Sequence, residues 1–267
     1  MINILIATAI VTAIGLIAGI VLAFAAHFLH VPENEQIKKV REALPGINCG
    51  ACGYNGCDEY AKAVAESGAE TNLCVPGADA VASDVAAIMG VEAQDVIEMM
   101  AVVGCNGNLE ATNKQNDYNG INTCLAASML YGGPNTCKYG CLGCGDCAVA
   151  CPVNAICIDD GIARVNPQIC VGCGLCVSKC PKNIIKLVPQ TAKVAVLCNN
   201  NEKGGAARKK CKNACIGCKK CELNCPSGAI KVIDNLATID YDKCTSCGIC
   251  TDVCPTKCIH KLNFYVK

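Results

Sequence analysis

Large aromatic side chains are almost missing from this chain. Its 267 residues include no Trp and three Phe, and aromatic residues make up 4% of the total. Large aromatics usually supply much of the contact area inside a fold, so a core built on them is excluded. The chain is nevertheless long enough to bury a core, and something else must organise it.

Net charge is missing as well. There are 23 basic and 23 acidic side chains, which gives a formal net charge of zero. Domains that bind nucleic acid are usually strongly basic, so we expect no nucleic-acid partner. No G-x-G-x-x-G motif follows a predicted strand, and nothing therefore marks an NAD site.

Cysteine, in contrast, is abundant, with 27 residues or about one position in ten. Disulfide frameworks of this density belong to short secreted chains that cannot build a core. The length of this chain and its odd number of cysteines argue against such a framework. The spacing of the cysteines therefore decides their role.

The N-terminal segment predicts a membrane anchor. The run from Ile4 to Ala26 carries no charge, and about 20 apolar residues suffice to cross a bilayer as a helix. A signal peptide would begin with basic residues and have a shorter apolar run. Lys38, Lys39 and Arg41 follow the run, so the positive-inside rule places the rest of the chain in the cytoplasm. That compartment is reducing and favours metal thiolates over disulfides.

One cysteine pattern, C-x2-C-x2-C-x3-C-P, occurs four times. The first copy reads CLGCGDCAVACP at 141–152, and the others begin at Cys170, Cys215 and Cys244. The pattern is typical of bacterial ferredoxins that hold two [4Fe–4S] clusters, in which the fourth Cys of each copy ligates the other cluster. Zinc is the alternative for a single C-x2-C pair, but four complete copies that all end in Cys-Pro disfavour it.

These copies form an internal duplication. Each of the eight cysteines in the first two copies recurs 74 residues later, which predicts two tandem ferredoxin modules. Short β-prone stretches at 155–158 and 230–233 suit the strands of such modules. Crossed ligation predicts four clusters with the following ligands: Cys141, Cys144, Cys147 and Cys180; Cys151, Cys170, Cys173 and Cys176; Cys215, Cys218, Cys221 and Cys254; Cys225, Cys244, Cys247 and Cys250.

A different motif lies nearer the membrane. Residues 48–57 read NCGACGYNGC, and a further Cys follows at 74. Cys49, Cys52, Cys57 and Cys74 therefore predict a four-thiolate site, and the spacing alone leaves [4Fe–4S] and zinc open. Apolar residues at three- and four-residue steps predict flanking helices at 35–44 and 84–100.

The order of these features resembles one family. An uncharged N-terminal span, the segment PENEQIKKVREALPGINCGACGYNGCDEYAKAV, the tetrapeptide CVPG at 74–77 and two ferredoxin modules resemble the B subunit of Rnf electron-transport complexes. The resemblance covers nearly the whole chain. It implies a [4Fe–4S] cluster on Cys49, Cys52, Cys57 and Cys74, and so five clusters in all. It also implies an electron carrier in a membrane complex that couples ferredoxin and NAD chemistry to Na⁺ or H⁺ transport.

The resemblance also sets the expected partners and activity. It implies other membrane subunits and an NADH- and flavin-binding subunit as partners, with soluble ferredoxin as the electron donor. The segment SGAET at 67–71 departs from the S-G-A-T flavin-attachment pattern of other subunits, so neither flavin nor NAD is expected on this chain. No nucleophile–base pair is recognisable, and we therefore expect a translocase subunit without a catalytic site of its own.

Two other functions remain open. One is a membrane-anchored polyferredoxin that serves a corrinoid-protein or heterodisulfide system. The other is an iron–sulfur binding or sensing module without net electron flux.

Seven cysteines lie outside these sets: Cys105, Cys124, Cys137, Cys157, Cys198, Cys211 and Cys258. The 74-residue offset pairs Cys124 with Cys198 and Cys137 with Cys211, whereas the local sequences AVVGCNGN and AVLCNNN pair Cys105 with Cys198. We hypothesise that four of these five cysteines hold a sixth cluster; the alternative is that they are buried free thiols. Cys157 and Cys258 are predicted to be small packing residues.

The zero net charge conceals an asymmetry. Residues 1–120 hold 14 acidic and 5 basic side chains, and residues 121–267 hold 9 acidic and 18 basic. Lys182–Lys220 contains ten Lys or Arg and one Glu. Complementary charge accelerates association, so this segment predicts a dock for an acidic ferredoxin. The alternative is a solvated face that offsets the negative charge of the clusters.

The predicted fold class is α+β. It comprises a transmembrane anchor in 1–30, a small helical four-Cys domain in 31–90 and a Cys-containing connecting region in 91–136. The first two-cluster ferredoxin module follows in 137–190 and the second in 191–267.

Overall fold

A long N-terminal helix stands apart from the rest of the structure. The computed structural model describes residues 2–28 and 34–262. Helix α1 spans Ile2–Phe28, and its segment Thr8–Ala25 is long and apolar enough to cross a membrane. None of that segment is buried against the protein. Helix α1 is thus a candidate membrane span, in the place predicted for the anchor; Met1, Leu29 and His30 of that prediction lie outside the described residues.

A small helical domain follows α1. It is built from α2 (Glu35–Ala43), α3 (Cys57–Ser67), a short helical turn at Val75–Gly77 and α4 (Ala78–Met89). The Asn34 side chain accepts a hydrogen bond from the backbone N–H of Gln36 at 3.0 Å and so caps α2. The core of the domain is formed by Val40, Tyr60 and Val85, all of which are buried.

The helix predicted at 84–100 is wrong. Helix α4 ends at Met89 because Gly90 adopts a left-handed conformation with φ of 69°. There its N–H bonds to the carbonyls of Ala86 and Ala87 and closes the last turn. The apolar residues at 99–103 form a strand instead, because their backbone pairs antiparallel with residues 185–189.

Two modules of the same construction make up the remainder. The first contains β1 (Met99–Val103), α5 (Cys124–Met129), α6 (Asp146–Val149), β2 (Ile156–Asp159), β3 (Ile162–Val165), α7 (Leu175–Lys179) and β4 (Ile185–Pro189). The second contains β5 (Val194–Val196), α8 (Gly204–Lys210), α9 (Lys220–Leu223), β6 (Ile230–Ile233), β7 (Leu236–Ile239), α10 (Ile249–Asp252) and β8 (Ile259–Lys261). Strands β2 and β6 confirm the two β-prone stretches.

Strand pairing repeats from one module to the next. In the first module β1 pairs antiparallel with β4, and β2 with β3. In the second β5 pairs with β8, and β6 with β7. The region predicted as a connection therefore supplies β1 to the sheet of the first module.

The strand ends fix the correspondence between the two modules. After β1 the N–H of Gly104 donates to the carbonyl of Ile184, and after β5 the N–H of Leu197 donates to the carbonyl of Cys258, both at 2.7 Å. The residues that follow Gly104 and Leu197 are Cys105 and Cys198, which therefore occupy equivalent positions. The structure supports the pairing given by local sequence and not the pairing of Cys124 with Cys198.

Aliphatic side chains and thiols share the module cores. In the first module Ile162, Ile184 and Val165 are buried in one cluster with Cys141 and Cys147. In the second, Ile230 and Ile259 are buried with Cys215 and Cys221. Neither cluster contains an aromatic residue, as the composition predicts.

We expect Gly172→Ala to destabilise the protein by about 2 kcal/mol or more. Gly172 has φ of 65°, and an added Cβ would lie 2.4 Å from the carbonyl oxygen of Met99 in β1. The matched control is Gly228→Ala, because Gly228 has φ of 62° with no atom within 4 Å of its added Cβ. That change should lower stability by about 1 kcal/mol through backbone strain alone. Anaerobic denaturant titrations measure the difference, and equal losses would contradict a close approach of β1.

Candidate iron–sulfur sites

The four cysteines of the helical domain meet at one place. Cys49 and Cys52 lie on the glycine-rich loop before α3, Cys57 begins α3, and Cys74 precedes the short helical turn. Burial raises the pKa of the Cys74 thiol to about 11, and the nearby thiols of Cys57, Cys49 and Cys52 add to the rise. The side chain of Asn48 fixes the loop to the helix, since its Oδ1 accepts from the backbone N–H of Cys57 at 2.8 Å.

In the first module the structure brings together the crossed cysteine sets. Cys141, Cys147 and Cys180 line a common cavity, although Cys180 belongs to the second motif in sequence. Burial raises the pKa of Cys144 to about 11, and Cys141 contributes to that rise. The Cys144 thiol therefore lies near Cys141, although Cys144 does not line that cavity.

The other site of the first module is assembled in the same crossed way. Burial raises the pKa of Cys176 to about 12, with further contributions from Cys170, Cys173 and Cys151. Backbone N–H groups point at two of these sulfurs: Ala155 donates to Cys151 Sγ at 3.2 Å and Ala101 to Cys170 Sγ at 3.3 Å. Such hydrogen bonds tune the reduction potential of a cluster.

The second module repeats the crossed arrangement. One cavity is lined by Cys215, Cys218, Cys221 and Cys254. A second cavity is lined by Cys225, Cys244, Cys247 and Cys250. Both predicted sets of the second module therefore line cavities, and in the first module three members of the set that includes Cys180 do so.

A further cavity lies between the modules. Its lining includes four cysteines outside the ferredoxin motifs, two from each module: Cys105, Cys137, Cys198 and Cys211. Cys105 and Cys198 are equivalent residues after β1 and β5, and Cys137 and Cys211 obey the 74-residue offset. The four thiols thus form two related pairs that face one space.

Backbone groups support the sulfurs of this inter-module cavity. The N–H of Cys141 donates to Cys105 Sγ at 3.3 Å, and the N–H of Cys215 donates to Cys198 Sγ at 3.2 Å. Burial nevertheless raises the pKa of the Cys105 thiol to about 12. A metal centre bound here would displace protons, because thiolates and not thiols are the ligands.

Asn106 joins the two modules beside that cavity. Its amide donates to Nε2 of His260 at 2.9 Å, and its backbone carbonyl accepts from the side chain of Asn213 at 2.8 Å. Across the same boundary the N–H of Lys212 donates to the carbonyl of Ala111 at 2.8 Å. Burial lowers the pKa of His260, so the ring stays neutral and can accept the amide hydrogen.

The fifth candidate for a sixth site, Cys124, lies elsewhere. It begins α5 and lines the cavity of Cys141, Cys147 and Cys180. Its thiol is within hydrogen-bonding range of Cys144 and contributes, after burial, to the raised pKa of that residue. Sequence reasoning could not separate Cys124 from the other four, because only the fold shows which cavity each one faces.

The two remaining cysteines have different environments. Cys258 is 1% exposed, which confirms the prediction of a packing residue. Its Sγ lies 3.6 Å from Cys254 Sγ, and the hydrogen bond holds the pKa of Cys254 low, at about 4. Cys157 is exposed, so its assignment to packing is wrong: Ile156 takes the buried position of β2 and Cys157 points outward.

The sites follow one another through the structure. Burial raises the pKa of the Cys173 thiol, and the Cys49 thiol of the helical domain adds to the rise. The N–H···S bonds of Cys141 and Cys215 place the inter-module cavity directly beside one site of each module. The Cys49 thiol of the helical domain thus lies near the first module, and the inter-module cavity lies between one site of the first module and one site of the second.

The spread of the thiols bears on the choice between zinc and a cluster. Within residues 2–28 and 34–262, no three His, Cys, Asp or Glu side chains form a group compact enough for a single metal ion. Three of the predicted sets have members that line a cavity instead of converging on one point, one set in the first module and two in the second. Donors that are thiols alone and are spread around a cavity fit an iron–sulfur cluster better than tetrahedral zinc.

Two lysines of the predicted docking segment have structural partners. Lys182 Nζ donates to the carbonyls of Gly132 and Lys138, each at 2.6 Å, and Lys210 forms an ion pair with Glu202. Arg208, Lys209, Lys219 and Lys220 are exposed. The segment is therefore not a uniform cationic surface.

Comparison with known proteins agrees with these sites. A family model described as "Putative Fe-S cluster" matches residues 44–76. Models described as "4Fe-4S dicluster domain" match residues 140–193 and 214–258, and also 169–230. The first range contains the four-Cys motif of the helical domain, and the others contain the ferredoxin motifs.

Whole-chain similarity decides the family. The chain is 44% identical to the B subunit of the "Na(+)-translocating ferredoxin:NAD(+) oxidoreductase complex" of Acetobacterium woodii, over 96% of this chain and 77% of that protein. It is 44% identical to the B subunit of the "Proton-translocating ferredoxin:NAD(+) oxidoreductase complex" of Clostridium ljungdahlii, over 94% of this chain and 89% of that protein. The chain belongs to the family of Rnf B subunits.

A third relative in this family comes from Methanosarcina acetivorans. The B subunit of the "Ion-translocating oxidoreductase complex" of that organism is 39% identical over 94% of this chain and 96% of the relative. The relative from Klebsiella pneumoniae matches 57% of this chain at 33% identity. The three alignments that cover at least 94% of this chain extend over both ferredoxin modules.

We expect anaerobic alkylation of the intact protein to modify Cys157 first. Cys157 is exposed and lies outside every cysteine set, whereas Cys124 and Cys258 are buried. Peptide mass spectrometry after brief treatment with iodoacetamide measures the modified positions, and Cys157→Ser serves as the control that removes the signal. Equal modification of the exposed Cys218 or Cys247 would show that these two are free thiols and not ligands.

Proposed function

We propose that this chain is the iron–sulfur electron-transfer subunit of a membrane ion-translocating ferredoxin:NAD oxidoreductase. It receives electrons from soluble ferredoxin and passes them to membrane subunits of the complex. The observation that carries the proposal is the contiguous series of cysteine sites between a candidate membrane helix and the far module. Relatives whose names place them in ion-translocating oxidoreductase complexes align over 94–96% of the chain.

The residues proposed to hold the clusters are the 20 motif cysteines. One [4Fe–4S] cluster is assigned to the helical domain through Cys49, Cys52, Cys57 and Cys74. Four more are assigned to the crossed sets: Cys141, Cys144, Cys147 and Cys180; Cys151, Cys170, Cys173 and Cys176; Cys215, Cys218, Cys221 and Cys254; Cys225, Cys244, Cys247 and Cys250. When bound, [4Fe–4S] clusters exchange single electrons over a wide range of potentials set by their surroundings. The chain supplies thiolates, N–H···S hydrogen bonds and spacing.

We further assign a sixth cluster to Cys105, Cys137, Cys198 and Cys211. Four thiols with no other function line one cavity, and two backbone N–H groups point at the sulfurs. The site lies beside Cys141 of the first module and Cys215 of the second. A centre there would bridge what is otherwise a gap between two separate ferredoxin modules.

The proposal also includes the position in the cell and the domain plan. Helix α1 anchors the chain once in the cell membrane, and residues after 30 lie in the cytoplasm, as the basic residues Lys38, Lys39 and Arg41 favour. We keep the domain boundaries proposed from the sequence, with β1 and α5 of the 91–136 region assigned to the first module; residues 31–33 and 263–267 lie outside the described residues. Other membrane subunits and an NADH- and flavin-binding subunit complete the complex.

Iron analysis of the anaerobically purified chain tests the cluster assignment. We expect about 24 Fe per chain for six clusters. Cys105→Ala and Cys198→Ala should each lower the content by about 4 Fe, because a cluster with three protein ligands is lost more easily. The matched control Cys124→Ala removes another buried thiol that belongs to no proposed ligand set and should leave iron unchanged. About 20 Fe in the unchanged protein would rule out the sixth cluster.

Ferredoxin-dependent NAD⁺ reduction by membrane vesicles tests the function. We expect deletion of this chain to abolish ferredoxin-dependent NAD⁺ reduction. The partner subunits should still oxidise NADH with an artificial electron acceptor. The complete chain should restore ferredoxin-dependent reduction, and Cys49→Ser should not, since that site is proposed to lie nearest the membrane. An undiminished rate in vesicles that lack the chain would contradict the proposal.

A further inference from the structure

The two modules differ in how far their cysteine sites are shielded from solvent. We call the part of a site around the second Cys of its motif the edge of that site. The second Cys of each ferredoxin motif is Cys144, Cys173, Cys218 or Cys247 in chain order. In the first module Cys173 is buried and Cys144 is half-buried, whereas in the second module Cys218 and Cys247 are both exposed. Electron exchange with a soluble protein requires a cluster site that is exposed at one side. The second module has such sites, at Cys218 and Cys247.

An insertion explains the covered edge of Cys144. Cys105 and Cys137 are 32 positions apart, whereas their counterparts Cys198 and Cys211 are 13 apart. The longer segment contains α5, whose first residue Cys124 lies against Cys144. The N–H of Leu125 also donates to the Asp146 carboxylate at 3.3 Å. The second module lacks this extra length, and Cys218 is left open.

The residue after Cys218 is conformationally unusual. In the other three motifs this position is Gly145, Gly174 or Gly248, each with φ between 74° and 91°. In the Cys218 motif it is Lys219, with φ of 58°. A non-glycine residue is strained in the left-handed region, and Ser246 beside Cys247 is also left-handed, with φ of 55°.

Charge at this edge is also reversed relative to the first module. Asp146, which follows Gly145, corresponds to Lys220, so the sequence Gly-Asp becomes Lys-Lys. Lys219 and Lys220 are exposed and belong to none of the described ion pairs. Leu223, one helical turn further, is 82% exposed. The edge therefore combines two cations with an apolar side chain.

The other exposed edge has a different character. Cys247 is flanked by Ser246 and Gly248, and Ile249 follows. Lys243, at the start of that motif, is paired with Asp240 at 2.9 Å. The exposed side chain of Lys261 also lies beside Gly248, so the Cys247 edge has one such cation where the Cys218 edge has two adjacent lysines.

We propose that Cys218, Lys219, Lys220 and Leu223 form the docking surface for an acidic iron–sulfur carrier protein that delivers electrons to this chain. The inference rests on the proposed function and names the place where the donor binds. The lysines attract the carrier and orient it, and Leu223 supplies the apolar contact that interfaces need at their centre. One electron would pass from the reduced carrier, which is oxidised, to the [4Fe–4S] cluster that Cys215, Cys218, Cys221 and Cys254 are proposed to hold; no covalent bond would form or break and no proton would move.

The test replaces Lys219 and Lys220 by Gly and Asp, the residues at the equivalent positions of the first module. In the full chain in detergent, Lys219→Gly together with Lys220→Asp removes the left-handed lysine and lowers the net charge by three units. The control Arg208→Ser with Lys209→Asp changes the net charge equally on the neighbouring helix α8. Stopped-flow reduction by reduced ferredoxin and equilibrium binding of oxidised ferredoxin are measured from low to high salt, with iron content and reduction by dithionite followed in parallel.

At low salt we expect the Lys219/Lys220 variant to be reduced about tenfold more slowly and to bind about tenfold more weakly. The difference should shrink at high salt, because salt screens exposed charges. Iron content and dithionite reduction should not change, and the control variant should stay within about twofold of the unchanged chain. Leu223→Ala should weaken binding at all salt concentrations.

Two results would overturn the docking surface while the proposed function stands. The first is that ferredoxin reduces the Lys219/Lys220 variant as fast as it reduces the unchanged chain. The other is an equal loss in the control variant, which would assign the effect to net charge. Failure of ferredoxin to bind or reduce the unchanged chain would overturn the proposed function together with this surface.

Discussion

The structure depends on one constraint: cysteines from distant parts of the sequence must come together in one site. Cys180 shares a cavity with Cys141 and Cys147, and Cys254 shares one with Cys215 and Cys221. Neither half of a module can complete its site alone, so each site links the two halves. The thiols also occupy the centre of the apolar clusters, where a chain with more aromatics would place its rings. Structural metal sites contribute directly to folding, and iron–sulfur clusters would do so here.

The duplication has produced a second module and, between the two modules, an additional cavity lined by cysteines of both. The cavity between the modules takes Cys105 and Cys137 from one and Cys198 and Cys211 from the other. Residues equivalent by fold thereby combine into a site that a single module could not form. The same boundary carries the hydrogen bonds of Asn106 to His260 and Asn213, so the contact between modules is specific. The insertion that holds α5 makes the two modules unequal, with one covered at its edges and the other open.

Sequence was most informative where chemistry dictates spacing. The ferredoxin motif constrains both neighbouring and distant ligands, so the crossed sets could be predicted without knowledge of the fold. Periodicity was less reliable, because the apolar run through Met100 suits a helix and a strand equally, and Gly90 decides where the helix stops. The role of Cys124 could not be predicted, since the 74-residue offset aligns it with Cys198 while the fold places it beside Cys144. Exposure of Cys157 depends on which face of β2 is buried, which a four-residue strand does not reveal.

The central claim is that this chain holds six iron–sulfur centres in one contiguous series, with one of them shared between the modules. Diffraction data collected at the iron absorption edge from the anaerobically purified chain, alone or in its complex, test that claim most directly. We predict six separate iron peaks, one of them within bonding distance of the sulfurs of Cys105, Cys137, Cys198 and Cys211. Five peaks, with no iron between the two modules, would contradict it.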